Sequence, residues 1–133
     1  MSVDLEDLRE RIVGAVGPDR DLDFALHRLA VGEWLDRNGY QRDGDGYVSS
    51  TPPMGGANRC CGPDGFTYSL DAIAGLCAHF GLGWQIDSDD GASVSDDEDV
   101  WHAKAATPCL SGCLALVEAL MAREALVSEE VLP

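Results

Sequence analysis

Positive charge is scarce in this chain. Nine Lys and Arg stand against 24 Asp and Glu in 133 residues, a formal net charge of −15. The shortage is uneven: residues 1–59 hold 7 bases beside 11 acids, whereas residues 60–133 hold 13 acids and only Lys104 and Arg123. Binding to nucleic acid rests on cations that neutralise phosphates, and anionic head groups repel the same surface. Direct contact with nucleic acid or a membrane is therefore not expected. Also missing is any apolar run near the roughly 20 residues that cross a bilayer. The start, Met1-Ser2-Val3-Asp4-Leu5-Glu6-Asp7, has no basic segment of the secretory type, so a cytoplasmic location is expected. Five cysteines, an odd number in a chain without an export signal, argue against a disulfide framework. Internal repeats are lacking too.

What is present suits one globular domain. The hydrophobic fraction is 45%, ordinary for a folded chain, and a domain of this length buries a core without staples. Four helices are expected. The first covers 3–15, with Val3, Leu5, Leu8, Ile12 and Val13 near one face and Asp4, Glu6 and Asp7 at the positive end of its dipole. The second covers 19–31, opened by Pro18 and Asp19, with Leu22, Ala25, Leu26 and Leu29 as its stripe. The third runs from a Ser69 cap to Phe80 and ends at Gly81 and Gly83. The fourth starts at Thr107-Pro108 and buries Leu110, Cys113, Leu114, Val117, Leu120 and Met121, with Gly112, Ala115 and Ala119 permitting close approach of a neighbour. Strands at 84–88, 92–95 and 100–105 form an antiparallel meander, joined by Asp89-Asp90-Gly91 and Asp96-Asp97-Glu98-Asp99. Residues 32–66, punctuated by Gly and Pro, are expected as an irregular loop, with a short strand at 47–50 and Trp34, Leu35 and Tyr40 as anchors. The single domain spans 1–125, with 126–133 as a frayed tail. The class is α+β: a small, mainly antiparallel sheet of three or four strands flanked by helices, resembling an α/β/α sandwich.

Candidate chemistry is sparse. Structural zinc favours short, spaced Cys/His pairs. Neighbouring Cys60-Cys61 on a strand point opposite ways, and Cys77, Cys109 and Cys113 lie in apolar helical stretches that suit buried thiols. No metal and no cofactor is therefore expected. Cys77 and His79, two apart on a helix, do not face each other, and no Gly-x-Ser-x-Gly elbow occurs, so enzymatic activity is not expected. Gly55-Gly56 and Gly62-x-x-Gly65 lack the Lys-Ser/Thr of a phosphate loop. The run Asp87, Asp89, Asp90, Asp96, Asp97, Glu98, Asp99 does not follow the spacing of a calcium loop. It is either a solvated set of turns or, with Trp101 beside it, an acidic edge that meets a basic partner.

Three segments, taken in order and spacing, resemble the phage ABA sandwich domain family. They are Gly17-Pro18-Asp19-Arg20-Asp21-Leu22-Asp23; Phe66-Thr67-Tyr68-Ser69-Leu70-Asp71-Ala72-Ile73 followed at a helix length by Gly83-Trp84; and Ala105-Ala106-Thr107-Pro108-Cys109-Leu110-Ser111-Gly112-Cys113. The resemblance covers most of 17–122. It implies a small antiparallel sheet between helical layers and a phage or prophage accessory protein in the host cytoplasm. Combined with the acidic second half, it leads to a non-enzymatic protein that binds a host protein with a basic surface, as a nucleic-acid mimic antagonising host defence. A nucleotide- or metal-sequestering protein and a virion or assembly component are the alternatives.

Overall fold

A computed structural model describes residues 4–44, 46–49, 58–61, 63–87, 89 and 91–131. The chain folds as α+β. Helices α1 (Leu5–Gly14) and α2 (Arg20–Arg37) come first, then strands β1 (Tyr40–Asp43), β2 (Gly46–Ser49) and β3 (Asn58–Cys61). Helix α3 (Leu70–His79) leads to β4 (Gly83–Ile86), β5 (Ala92–Ser95) and β6 (Val100–Ala103), and α4 (Pro108–Val131) closes the chain.

The helix starts arise from local chemistry. Asp4 Oδ1 accepts from the N–H groups of Glu6 and Asp7, Asp19 Oδ1 from that of Leu22, Ser69 Oγ from that of Ala72, and Thr107 Oγ1 from that of Leu110. Each satisfies a donor that the first turn leaves without an intrahelical partner. Helix α3 ends where Gly81, at φ 72°, lets the chain turn back. Gly81 N–H then donates to Ala78 O and Leu82 N–H to Cys77 O, a double-bonded helix end that tucks Leu82 into the core.

The strands are divided between two sheets rather than gathered in one. The orders are β1-β2-β3 and β4-β5-β6, all pairs antiparallel. The meander expected near the C-terminal half is therefore present. The region expected as a loop is more ordered than its composition suggests. Helix α2 runs on to Arg37, and β1, β2 and β3 occupy part of the stretch from Tyr40 to Cys61. Glycine there marks a connection: Gly44, at φ 65°, lies between β1 and β2, whose register pairs Asp43 with Gly46. Residues 50–57 of the expected loop, including Ser50 at the tip of the expected strand, lie outside the described residues.

Helix α4 is the centre of the molecule. It packs against α1, α3, β4, β5 and β6. Every residue from Leu110 to Val117 is buried, so the expected single buried face is wrong for this half of the helix. A helix enclosed on all sides needs apolar or small residues all round. Its one polar member there, Ser111, is satisfied within the chain: Oγ accepts from Ala105 N–H and donates to Thr107 O. Helix α4 also continues to Val131, past the point where fraying was expected.

The main core joins Leu8, Ile12, Leu22, Leu26, Ile73, Val94, Leu110 and Leu116. A smaller one, Phe24, Leu35 and Tyr47, holds the first sheet onto α2. There the Arg42 guanidinium sits 3.9 Å from the Phe24 ring centroid, a cation–π contact that also shields the ring from water. Leu35 anchors as expected, but Trp34 is 52% exposed and stacks on Tyr40 with ring centroids 5.4 Å apart.

Candidate functional site

The acidic residues singled out from the sequence sit on the two turns of the β4-β5-β6 meander. Register fixes where these turns lie. Ile86, Ala92 and Ala103 are cross-strand partners at one end of the sheet, and Gly83, Ser95 and Val100 at the other. Asp87 and Asp89 thus belong to the first end, and Asp96, Asp97, Glu98 and Asp99 to the second. Consecutive turns of a meander alternate ends, and a four-residue strand separates these by at least about 10 Å. The expected single acidic edge is therefore two acidic ends. Asp90 lies outside the described residues.

At the first end the carboxylates are largely engaged. Ser93 Oγ donates to Asp87 Oδ1 over 3.3 Å, and His102 Nδ1 lies 3.5 Å from Asp87 Oδ2. Asp89 Oδ1 accepts from Gly91 N–H, while its Oδ2 lies 3.8 Å from Lys104 Nζ. A Cβ on Gly91 would come within 3.0 Å of Ala103 O, so the turn needs the bare backbone at that point. One of the two cations of residues 60–133 is thus committed here.

At the second end the acids divide by task. Asp96 Oδ1 accepts from the N–H groups of Glu98 (2.8 Å) and Asp99 (2.7 Å), and Asp96 N–H donates to Asp99 O over 3.0 Å. These bonds close the turn. Donation from the Asp99 and Glu98 amides favours the charged form and lowers the Asp96 pKa. Asp97, Glu98 and Asp99 are exposed, and none of them forms an ion pair among the described residues. The nearby cation Arg123 is turned to Phe80 O, to which it donates over 2.9 Å.

Trp101 does not belong to this surface. Side chains alternate along β6, and Trp101 and Ala103 pack against the core on the α4 side. Val100 and His102 occupy the other face, where both are exposed.

No family model matches this chain, and no curated protein or solved structure matches it either. The site must therefore be read from its own chemistry.

The residues that sequence reasoning missed form a buried polar junction between α2 and the 63–69 segment. Asp23 is fully buried. Its Oδ1 accepts from Thr67 N–H (2.8 Å) and Thr67 Oγ1 (2.9 Å), and its Oδ2 lies 3.3 Å from Arg20 Nη1. Asp19 N–H donates to Thr67 Oγ1, and Arg20 Nη1 to Pro63 O. Cys113 Sγ donates to Phe66 O from α4. All three segments that carry the resemblance meet here, and every contact reads as architecture. The only sequence signal was an acid flanked by apolar Leu22 and Phe24.

The thiols at this centre are poor nucleophiles. Desolvation by burial pushes the Cys77 pKa up to about 11, and it raises those of Cys113 and, less deeply placed, Cys109. Among the described residues, no three His, Cys, Asp or Glu side chains converge as a metal site. No described helix is long and apolar enough to cross a membrane.

His27 links the two cores. Its Nδ1 lies 2.9 Å from the Tyr47 hydroxyl, and its ring stacks over Phe66. Burial lowers its pKa from the ordinary 6.5, against the opposing pull of Asp64. A base whose folded-state pKa is depressed binds its proton more readily when unfolded. Its contribution to stability is complete above about pH 6.5 and declines as pH falls through the lowered folded value. Urea midpoints measured across that window are expected to fall for the native protein and to fall less for His27→Gln. Identical slopes for the two would rule out this coupling.

Proposed function

We propose that this protein acts by binding, and that its β5–β6 turn is the part offered to a partner protein with a basic surface. Asp97, Glu98 and Asp99 project into solvent without ion-pair partners among the described residues, on a turn whose shape is held by a fourth acid, Asp96. That single observation carries the reading. Fixing the backbone beforehand reduces the ordering cost at the moment of binding. Close acids without counter-charge gain most when a cationic surface approaches, and they steer its approach. In the phage or prophage setting that the resemblance implies, the partner is a host defence protein, and the turn occupies part of its nucleic-acid groove.

A small-molecule site has less support. The depression of about 320 Å³ at the start of α3 is lined by Asp64, Gly65, Tyr68, Ser69, Asp71 and Ala72. Two carboxylates and no cation make it unfavourable for a nucleotide phosphate.

The test is the triple variant Asp97→Asn, Glu98→Gln, Asp99→Asn, which spares Asp96. It is expected to melt with the native protein and to lose at least about tenfold in affinity for proteins captured from host lysate at low salt. Capture by the native protein should itself weaken as salt rises, since exposed charges are screened beyond about 8 Å at physiological ionic strength. Capture that the triple variant leaves intact would end this reading.

A further inference from the structure

The sheet that carries the acidic turn ends in an unpaired strand. β6 is terminal in the order β4-β5-β6, and no described strand lies on its far side. Asp96 N–H donates to Asp99 O, which makes these residues a hydrogen-bonded pair. Successive pairs of an antiparallel ladder alternate between bonded and non-bonded. Ser95–Val100 and Ser93–His102 are then the non-bonded pairs, so the N–H and C=O groups of Val100 and His102 are directed away from β5. The same two residues carry exposed side chains on the face away from α4, with Val100 at 56% exposure.

An open edge is a template for another strand, and proteins often guard it with charge or keep it short. Here the charge is all of one sign where β6 begins: Asp97, Glu98 and Asp99 lead directly into Val100. Such a guard repels acidic or identical chains and selects for cationic ones.

We propose that the edge of β6 receives an extended, lysine- or arginine-rich segment of the partner protein, added as a fourth strand beside Val100–Ala103. The proposal rests on the reading of the β5–β6 turn as a binding element and specifies its partner as an extended cationic peptide. Backbone bonds to Val100 and His102 supply affinity, and a cation near Asp97–Asp99 fixes register and direction. The added segment needs about five residues to run the length of β6. Val100 gains apolar cover on the outer face.

The experiment uses the full chain and a synthetic peptide of about eight residues alternating lysine and valine. The control is a peptide of the same residues interrupted by central proline. Amide hydrogen exchange at Val100 and His102 is expected to slow at least about tenfold with the alternating peptide and to stay unchanged with the control. His102→Pro removes an outward N–H without touching the ladder to β5, a place where an edge strand tolerates proline. It is expected to weaken the peptide about five- to tenfold. If His102→Pro does not fold, protection at Val100 and His102 in the native chain decides alone. Binding that depends on Asp97–Asp99 but leaves both amides exchanging freely overturns strand addition while sparing the binding role of the turn. If neither peptide binds at low salt, both readings are overturned. Self-association of the triple variant without any effect of peptide on these amides assigns the acids to guarding the edge, and it too overturns strand addition.

Discussion

Asp23→Ala is expected to destabilise the protein by about 3–5 kcal/mol, the range for removing one partner of a buried ionic hydrogen-bonded group. Asp23 is 0% exposed and accepts from the backbone and hydroxyl of Thr67 while facing Arg20. Alanine leaves the Thr67 amide buried with no acceptor, and a buried donor without a partner costs more than the bond it lost was worth. The Arg20 side chain is 31% exposed and can turn to water, so the penalty falls mainly on Thr67. A net stability of about 5–15 kcal/mol is typical of a domain this size, so the loss is a large fraction of the total. Thr67→Val keeps the backbone N–H and removes only the hydroxyl, and about 1–2 kcal/mol is expected. Urea denaturation of the single and double variants gives the coupling directly, and strict additivity of the two losses would show that the junction does not act as a unit.

The second large effect is expected at Gly112. A Cβ there would stand 3.2 Å from Ile73 Cγ2 and 3.4 Å from Ile73 Cδ1. Ile73 is fully buried, so it has little room to give. Alanine gains about 1 kcal/mol of helix propensity, which offsets a mild clash and leaves stability nearly unchanged. Valine recovers less propensity and adds two methyl groups at the α3–α4 contact, and a loss of about 1–3 kcal/mol is expected from overpacking. Thermal unfolding of the two variants checks the contrast. A valine variant as stable as the alanine one would mean that α3 and α4 can separate without cost.

Much of the fold is legible in the sequence because its signals are local. Asp19, Ser69 and Thr107 cap helices through donors within three residues, so composition and spacing carry that information. Apolar–polar alternation locates all three strands of the meander, but it reports the buried face only for Val100–Ala103: Ala92, Ser93 and Val94 are all buried and Ile86 is exposed. Close approach at Gly112 is legible too, although its neighbour, Ile73, is not.

Where sequence and structure differ, the causes are physical. Glycine and proline make 32–66 look irregular, yet a residue that permits a turn says nothing of the strands on either side of it. Hydrophobicity alone makes Trp34 look like an anchor, whereas Leu35 faces the core and Trp34 stacks outside it. Adjacency puts Trp101 with the acids, but its ring packs against the core while Asp97, Glu98 and Asp99 are exposed. A single acidic edge conflicts with the meander itself, since two successive turns of a meander lie at opposite ends of the sheet.

Taken by itself, the amino-acid order determined the α+β class, the helix starts, the C-terminal meander and the strongly negative second half, because each depends on contacts within a few residues or on composition. Tertiary structure alone decided that α4 is enclosed on all sides, that Asp23 meets Thr67 across 44 residues of chain, and that Asp87 meets Ser93 and His102 on neighbouring strands. Those outcomes depend on which distant surfaces exclude water together, and no local pattern encodes that.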